Sequence, residues 1–422
     1  MSRDRSHGAR PLGGDGGAPY GDARAGGFAA RRSLWDRGTR GFRRDRPPAF
    51  GSAPARPRHH ARTSAAAATG TAYAGGRAGR PSVVNACMER QRWHFSPGRR
   101  HVSDPAVADG VVYVSSASEV YAVDAGTGQQ RWRFSTGLEW NEPSAPAVAG
   151  GVVYFGSKKH TDGHLYAMDA LTGRQLWKVA TGHPVTSCPA VVDGMVYVGS
   201  QRGLRALDAA TGEQRWELSS SAVFACPAVA DGVMYVHAGG HGDGSGLYAV
   251  DPATGEKRWK FSTGHEWNES SAPAVANGTV YVGSRNSLYA VDTHNGQQRW
   301  AFVTSRDVTA SPTVANGLVY FGSWDNHLYA VATATGELHW RYLTAGAVTS
   351  TATVTDGLVY AGSWDCNLYA VDAATGQLHW KFPTTDWPTS PAVMDGLAYI
   401  GTRDGHLYAL QSPAPPPQDA TQ

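Results

Sequence analysis

The chain predicts an all-β fold, an eight-bladed β-propeller of four-stranded antiparallel blades, and three observations carry that expectation. A motif of the form A-x-D-x-x-T-G-x-x-x-W follows a strand seven times. The motif tryptophans, Trp93, Trp132, Trp177, Trp216, Trp259, Trp300, Trp340 and Trp380, fall 39 to 45 residues apart, a blade-length period. The eighth of them, Trp93, stands before the first copy of the motif instead of after the last. The final unit, SPAVMDGLAYIGTRDGHLYAL, stops at Leu410 with neither turn nor Trp, and ERQRWHF at 89–95 supplies the missing strand. A permutation of this kind closes a chain into a ring.

Each strand follows from alternation and its breakers, as 348–384 (VTSTATVTDGLVYAGSWDCNLYAVDAATGQLHWKFPT) shows. The first strand reads TSTATV. Asp-Gly, replaced by Asn-Gly in other units, makes a tight hairpin into LVYAGS. A short polar turn, WDCN, leads to LYAVD, whose Asp holds the next turn with its side chain while the Gly of T-G takes a positive φ. The last strand, QLHWKF, carries the Trp. One such meander cannot bury both faces alone, so the blades stack around an axis and each Trp anchors its blade to the next. Two copies depart from the motif, with Ala332 for Asp and Asn295 for Thr; each loosens one turn without breaking the ring.

The formal charge of +3 averages two unlike regions. Residues 1–86 hold sixteen Arg, no Lys and five Asp, a net of +11 that leaves −8 for the rest. This head has no apolar periodicity and reads as a disordered extension. It could bind nucleic acid or an acidic surface, and RRSLW at 31–35 opens like a twin-Arg export signal, but no apolar segment follows. The favoured reading is a non-functional extension, with Met88 placed where a second translation start would suffice. The propeller spans 87–411 and a disordered Pro-rich tail 412–422. Its acidic balance argues against nucleic acid as a partner. No stretch is long and apolar enough for a transmembrane helix. A monomer is expected, in the cytoplasm, with the cell envelope or secretion as the alternative.

The four Cys (87, 188, 226 and 366) give neither a disulfide framework nor metal-ligand spacing. Cys188 and Cys226 hold the same position in neighbouring units, TSCPA and FACPA. Equivalent sites in adjacent blades are expected to lie beyond disulfide reach, leaving two buried thiols.

These units resemble the quinoprotein-type propeller repeat, named after the pyrroloquinoline-quinone dehydrogenases, over residues 89–411. The resemblance implies eight blades. It does not imply one activity, because such repeats occur in quinone-dependent alcohol and glucose dehydrogenases, in a non-catalytic lipoprotein of the outer-membrane β-barrel assembly machinery, and in sensor domains of bacterial kinases.

Function is expected where loops break the repeat. Two loops leading into a blade, STGLEWNEPSAPAV and STGHEWNESSAPAV, insert Glu139, Trp140, Asn141 and Glu142, and Glu266, Trp267, Asn268 and Glu269. A Trp between carboxylates and an amide suits a polar or cationic group, and its oxygens suit Ca²⁺. Lys158 and Lys159 lie in an enlarged loop, KKHTDGH, of the same blade as the first insertion, and HAGGHGDGSG enlarges the blade before the second. Trp324 and Trp364, in GSWDNHLYA and GSWDCNLYA, cap the rim or form an aromatic ledge on the same face. His160, His164, His237, His241 and His265 lack the spacing of a zinc site.

The sequence therefore favours a non-catalytic module that binds a protein, peptide or polysaccharide on its loop face, with no cofactor. The alternatives are a dehydrogenase using pyrroloquinoline quinone and Ca²⁺, and a ligand sensor working with a partner in trans. At roughly forty residues per unit nearly all of the chain is scaffold. The adjacent Cys-Cys pair of methanol-dehydrogenase-like enzymes is missing as well.

Overall fold

The computed structural model describes residues 90–98, 101–137, 144–157, 163–185, 187–200, 203–220, 222–239, 245–264 and 271–412. They form eight antiparallel sheets, one per blade. Blades one to seven run over 106–135, 147–180, 190–219, 228–261, 274–303, 313–343 and 353–383. Blade eight joins three strands within 392–411 to Gln91–Phe95, in the order that closes an eight-membered ring. In that closing pair Trp93 lies opposite Ala409 and Phe95 opposite Leu407. The head over 1–86 and residues 413–422 lie outside the described residues.

The turns form as the sequence implies. At 356–357 both central residues have positive φ, 50° for Asp356 and 73° for Gly357, the signature of the primed hairpin that matches strand twist. In blade one Asp124 Oδ1 accepts from the Thr127 amide at 2.9 Å and its hydroxyl at 2.8 Å, and Arg131 reaches Oδ2 at 2.7 Å. The Arg131 and Thr127 hydrogen bonds hold the Asp124 carboxyl down at about 2. The two degenerate copies keep the turn by substitution. Asn295 Oδ1 accepts the Gln297 amide at 2.9 Å, as a Thr hydroxyl does elsewhere, and the main-chain bond from Gly336 to Ala332 survives loss of the Asp.

The glycine of each T-G turn has a second duty beyond its positive φ. A Cβ on Gly128 would lie 2.7 Å from the Trp93 ring, and one on Gly173 2.6 Å from Trp132. The same pairing continues around the ring to Gly376 against Trp340. Each indole also donates to a main-chain oxygen of the following blade, as Trp93 does to Ala125 and Trp132 to Ala170, both at 2.8 Å. Trp380 is the exception. Blade eight has no T-G turn, the Trp380 N–H finds no acceptor among the described residues, and the Arg90 guanidinium lies 5.1 Å from its ring.

The core consists of the apolar layers between blades. The layer that seals the ring brings Trp93, Tyr399, Leu407 and Ala409 of blade eight against Val112, Val114, Tyr121 and Val123 of blade one. Trp93 is 8% exposed, and its ring meets Tyr399 at 5.8 Å.

Two expectations about the innermost strands are corrected. The first strand of blade seven is only Thr353–Thr355, not the whole of TSTATV. The residues before it pair around the axis instead: the Thr351 amide donates to Ser390 Oγ of the next blade at 3.0 Å, and the Ser390 amide to Asp104 Oδ1 at 2.8 Å. Cys188 and Cys226 occupy this same axial ring, and they are joined by a disulfide, not left as two thiols. Their Cα atoms are 5.4 Å apart, inside the range a disulfide spans. The expectation failed because inner strands converge on the axis, so neighbouring blades approach far more closely there than at the rim.

Candidate functional site

The loops leading into a blade and the turns between its second and third strands share one face, joined by main-chain bonds. Trp324 donates to Asp307 and Trp364 to Ala347, both at 2.9 Å, and Arg403 to Trp387 at 3.0 Å. Trp324, Trp364 and Arg403 therefore occupy equivalent positions in blades six, seven and eight.

The turns of blades six and seven are each pinned by an Asp. Asp325, its side chain 4% exposed, accepts from the Ser305 amide and hydroxyl at 3.2 and 3.0 Å and from Tyr329 OH at 2.8 Å. Asp365 accepts from the Ala345 amide at 2.9 Å and Tyr369 OH at 2.6 Å. Burial works against ionisation of Asp325, but the hydrogen bonds from Tyr329 and Ser305 outweigh it and hold the carboxyl below its usual range. Burial, reinforced by the neighbouring carboxylates, pushes the Tyr329 and Tyr369 phenols far up. The acids of these turns are committed to holding the tryptophans in place.

Above them the rings form a ladder. Trp324 meets Trp364 edge-on, with centroids 4.5 Å apart and planes at 66°. Trp364 stacks on Trp387 at 4.1 Å with planes 3° apart, and the Arg403 guanidinium lies 4.6 Å from the Trp387 ring. Trp324 is fixed further by an N–H bond to Thr309 Oγ1 at 2.9 Å. Beside the ladder an open recess of about 360 Å³ is lined by Ser305, Arg306, Trp324, Asp325 and Asn326. On the same rim Val303 and Leu343, each 65% exposed, end the outer strands of blades five and six. Cys366, in the blade-seven turn, has its thiol pushed up by burial and then by Asp386, Asp365 and Asp404, so it is a poor nucleophile.

Of the residues singled out from sequence, Trp324 and Trp364 are brought together here. Glu139–Glu142, Lys158, Lys159 and Glu266–Glu269 lie outside the described residues. The eight anchor tryptophans all belong to the blade scaffold. Trp387 and Arg403 were missed, though aligning TRDGHLYA beneath SWDNHLYA and SWDCNLYA puts Arg403 in the Trp column. Among the described residues no group of three or more His, Cys, Asp or Glu could hold a metal ion. The carboxylates that the sequence offers to Ca²⁺, Glu139, Glu142, Glu266 and Glu269, lie outside the described residues.

His237, one of the scattered histidines, is a core residue, 1% exposed, with Nε2 3.2 Å from Thr263 Oγ1. Burial depresses its pKa to about 4, offset only in part by the Ser271 main chain. A base held neutral in the folded state stabilises the fold above its unfolded pKa of about 6.5 and loses that contribution as pH falls toward 4. Urea unfolding should show the wild type losing about 3 kcal/mol more than His237→Gln over that interval. Equal losses would place the acid sensitivity elsewhere.

Repeat, ring closure and interblade Trp contacts define a propeller of the pyrroloquinoline-quinone-repeat class. Within that class the chain belongs to the family described as outer membrane protein assembly factor BamB, which matches residues 30–161, 161–301, 243–386 and 343–413. The solved structure of BamB from Moraxella catarrhalis is similar, with a TM-score of 0.63 at 19% identity over 76% of this chain and 97% of that one. So is quinohemoprotein alcohol dehydrogenase from Comamonas testosteroni, with a TM-score of 0.66 at 18% identity over 79% and 78% of the two chains. At such identities the likeness is one of fold. A serine/threonine-protein kinase, AfsK of Streptomyces griseus, is 28% identical over 156 residues, 35% of this chain but only 14% of the kinase.

Proposed function

We propose that this chain is a non-catalytic binding module that docks a protein or peptide partner on the loop face of blades six to eight. The Trp324–Trp364–Trp387–Arg403 ladder is the observation that carries this reading. Tryptophan and arginine held rigid at a surface are the side chains that dominate protein interfaces, because little entropy is lost when they are covered. A polysaccharide is the weaker candidate. Trp387 is met by Trp364 and Arg403, and Trp364 by Trp387 and Trp324, so little of these two rings is left for a sugar to stack on. What the ladder offers is indole edges, a guanidinium and the recess beside them.

The test is affinity of the full chain for a partner recovered from the cells that make it. Trp364→Ala and Trp387→Ala should each weaken that complex by about 2 kcal/mol or more, some thirtyfold in Kd. Leu171→Ala, at a 77% exposed position on the opposite face, should leave it unchanged. Unaltered binding by both ladder variants would remove blades six to eight from the interface.

The axial disulfide supports a second element of the proposal, that the protein works in an oxidising compartment such as the cell envelope, where such bonds persist. Mass spectrometry of alkylated, unreduced protein from its native cells tests this. Alkylated Cys188 and Cys226 would return the protein to the cytoplasm.

A further inference from the structure

On the outer edge of the closing blade, beginning in the turn that also carries Arg403, three donor atoms converge. His94 of the strand Gln91–Phe95 places Nε2 2.8 Å from His406 Nδ1, and Ser96 Oγ lies 3.2 Å from the first and 2.6 Å from the second. The two imidazoles come from opposite ends of the chain and face each other with centroids 4.8 Å apart. An imidazole nitrogen has one in-plane lone pair or one proton and can direct it at one partner only. Each of these nitrogens faces two, so protons can serve two edges of the triangle, through Nε2–H to Oγ and Oγ–H to Nδ1, and leave the two nitrogens 2.8 Å apart without a bond of their own. A single cation seated above the triangle engages all three atoms.

The geometry points to a divalent first-row metal site of the Ni²⁺ or Cu²⁺ type, made by His94 Nε2, His406 Nδ1 and Ser96 Oγ, with water completing the shell. Bonds of about 2.1 Å separate cis ligands by about 2.9 Å in octahedral or tetragonal geometry and by about 3.4 Å in tetrahedral geometry. The observed edges of 2.6, 2.8 and 3.2 Å match the first arrangement. The outer shell agrees. Asp404 Oδ2 lies 3.6 Å from Nε2 of His406, the nitrogen facing away from the triangle, and Asp404 Oδ1 is held by Thr402 Oγ1 at 2.6 Å. A carboxylate behind a ligating histidine fixes its ring and raises its basicity. The ion would staple the first strand to the last blade at the seam that closes the ring.

The full chain, stripped with chelator, is melted with and without millimolar NiCl₂. Ni²⁺ should raise the melting temperature by about 3–6 °C, since a ligand that binds only the folded ring stabilises it. The rise should vanish in His94→Ala. In Asp404→Asn, which leaves the three donors in place, the affinity should fall by about 10–100-fold. Calorimetric titration at a temperature where both proteins are folded gives a second readout, in which His94→Ala should bind one Ni²⁺ fewer per chain. No shift in the wild type, or an equal shift and stoichiometry in His94→Ala, would overturn the site.

Discussion

Replacing Trp93 with Ala should destabilise the protein by about 3–5 kcal/mol, and by more than the same change at Trp132. Both indoles cover the glycine of a neighbouring turn and donate to a carbonyl at 2.8 Å. The difference lies in what else holds the two surfaces together. Trp132 joins blades one and two, which the chain already connects. Trp93 also packs on Tyr399, more than three hundred residues away in sequence, and no covalent link joins Gln91–Phe95 to that part of blade eight. Bringing two distant segments together costs loop-closure entropy that only the contacts at the seam can offset. Removing the ring also leaves a cavity against Tyr399 and Gly128. Denaturant unfolding measures the loss. Amide exchange over Gln91–Phe95 should accelerate in Trp93→Ala and stay slow in Trp132→Ala. Equal losses in the two variants would mean that the seam is no weaker than an ordinary interblade contact.

Reducing the Cys188–Cys226 disulfide should cost almost as much. The bond closes a loop with a sequence separation of 38, and on a chain-entropy basis this stabilises by about 4 kcal/mol, an upper value where the unfolded chain keeps residual structure. Cys188→Ala/Cys226→Ala should reproduce the effect of reductant, and reductant should then do nothing further to the double variant. The bond joins blades three and four, far around the ring from the seam between blades eight and one. Its loss should therefore add to that of Trp93→Ala with little coupling. Strong non-additivity would show that the ring unfolds from one shared weak point.

The sequence disclosed those features that repeat. Period and motif are local, so the blade count, the Asp-held turns and the permuted closure at Trp93 could all be read from it. The features it hid depend on distances set by the ring as a whole. Cys188 and Cys226 are within bonding range only because inner strands crowd the axis. Trp387 lies in a lead-in loop and Arg403 in a turn, and nothing in the spacing indicates that they sandwich together with Trp364. The same holds for His94 and His406, which meet only once the ring has closed. Trp324 and Trp364, by contrast, broke the repeat visibly, and the structure brings them together. Repetition revealed the scaffold, and departures from it marked only part of the aromatic ladder.

The binding reading assigns the partner to the loop face of blades six to eight, and site-specific photo-cross-linking tests that assignment most directly. A photoreactive residue at Asn326, in the recess beside Trp324, should capture the partner in cells that make the protein. The same residue at Leu171, on the opposite face, should capture nothing. Capture from Leu171 alone, or equally from both positions, would contradict the account.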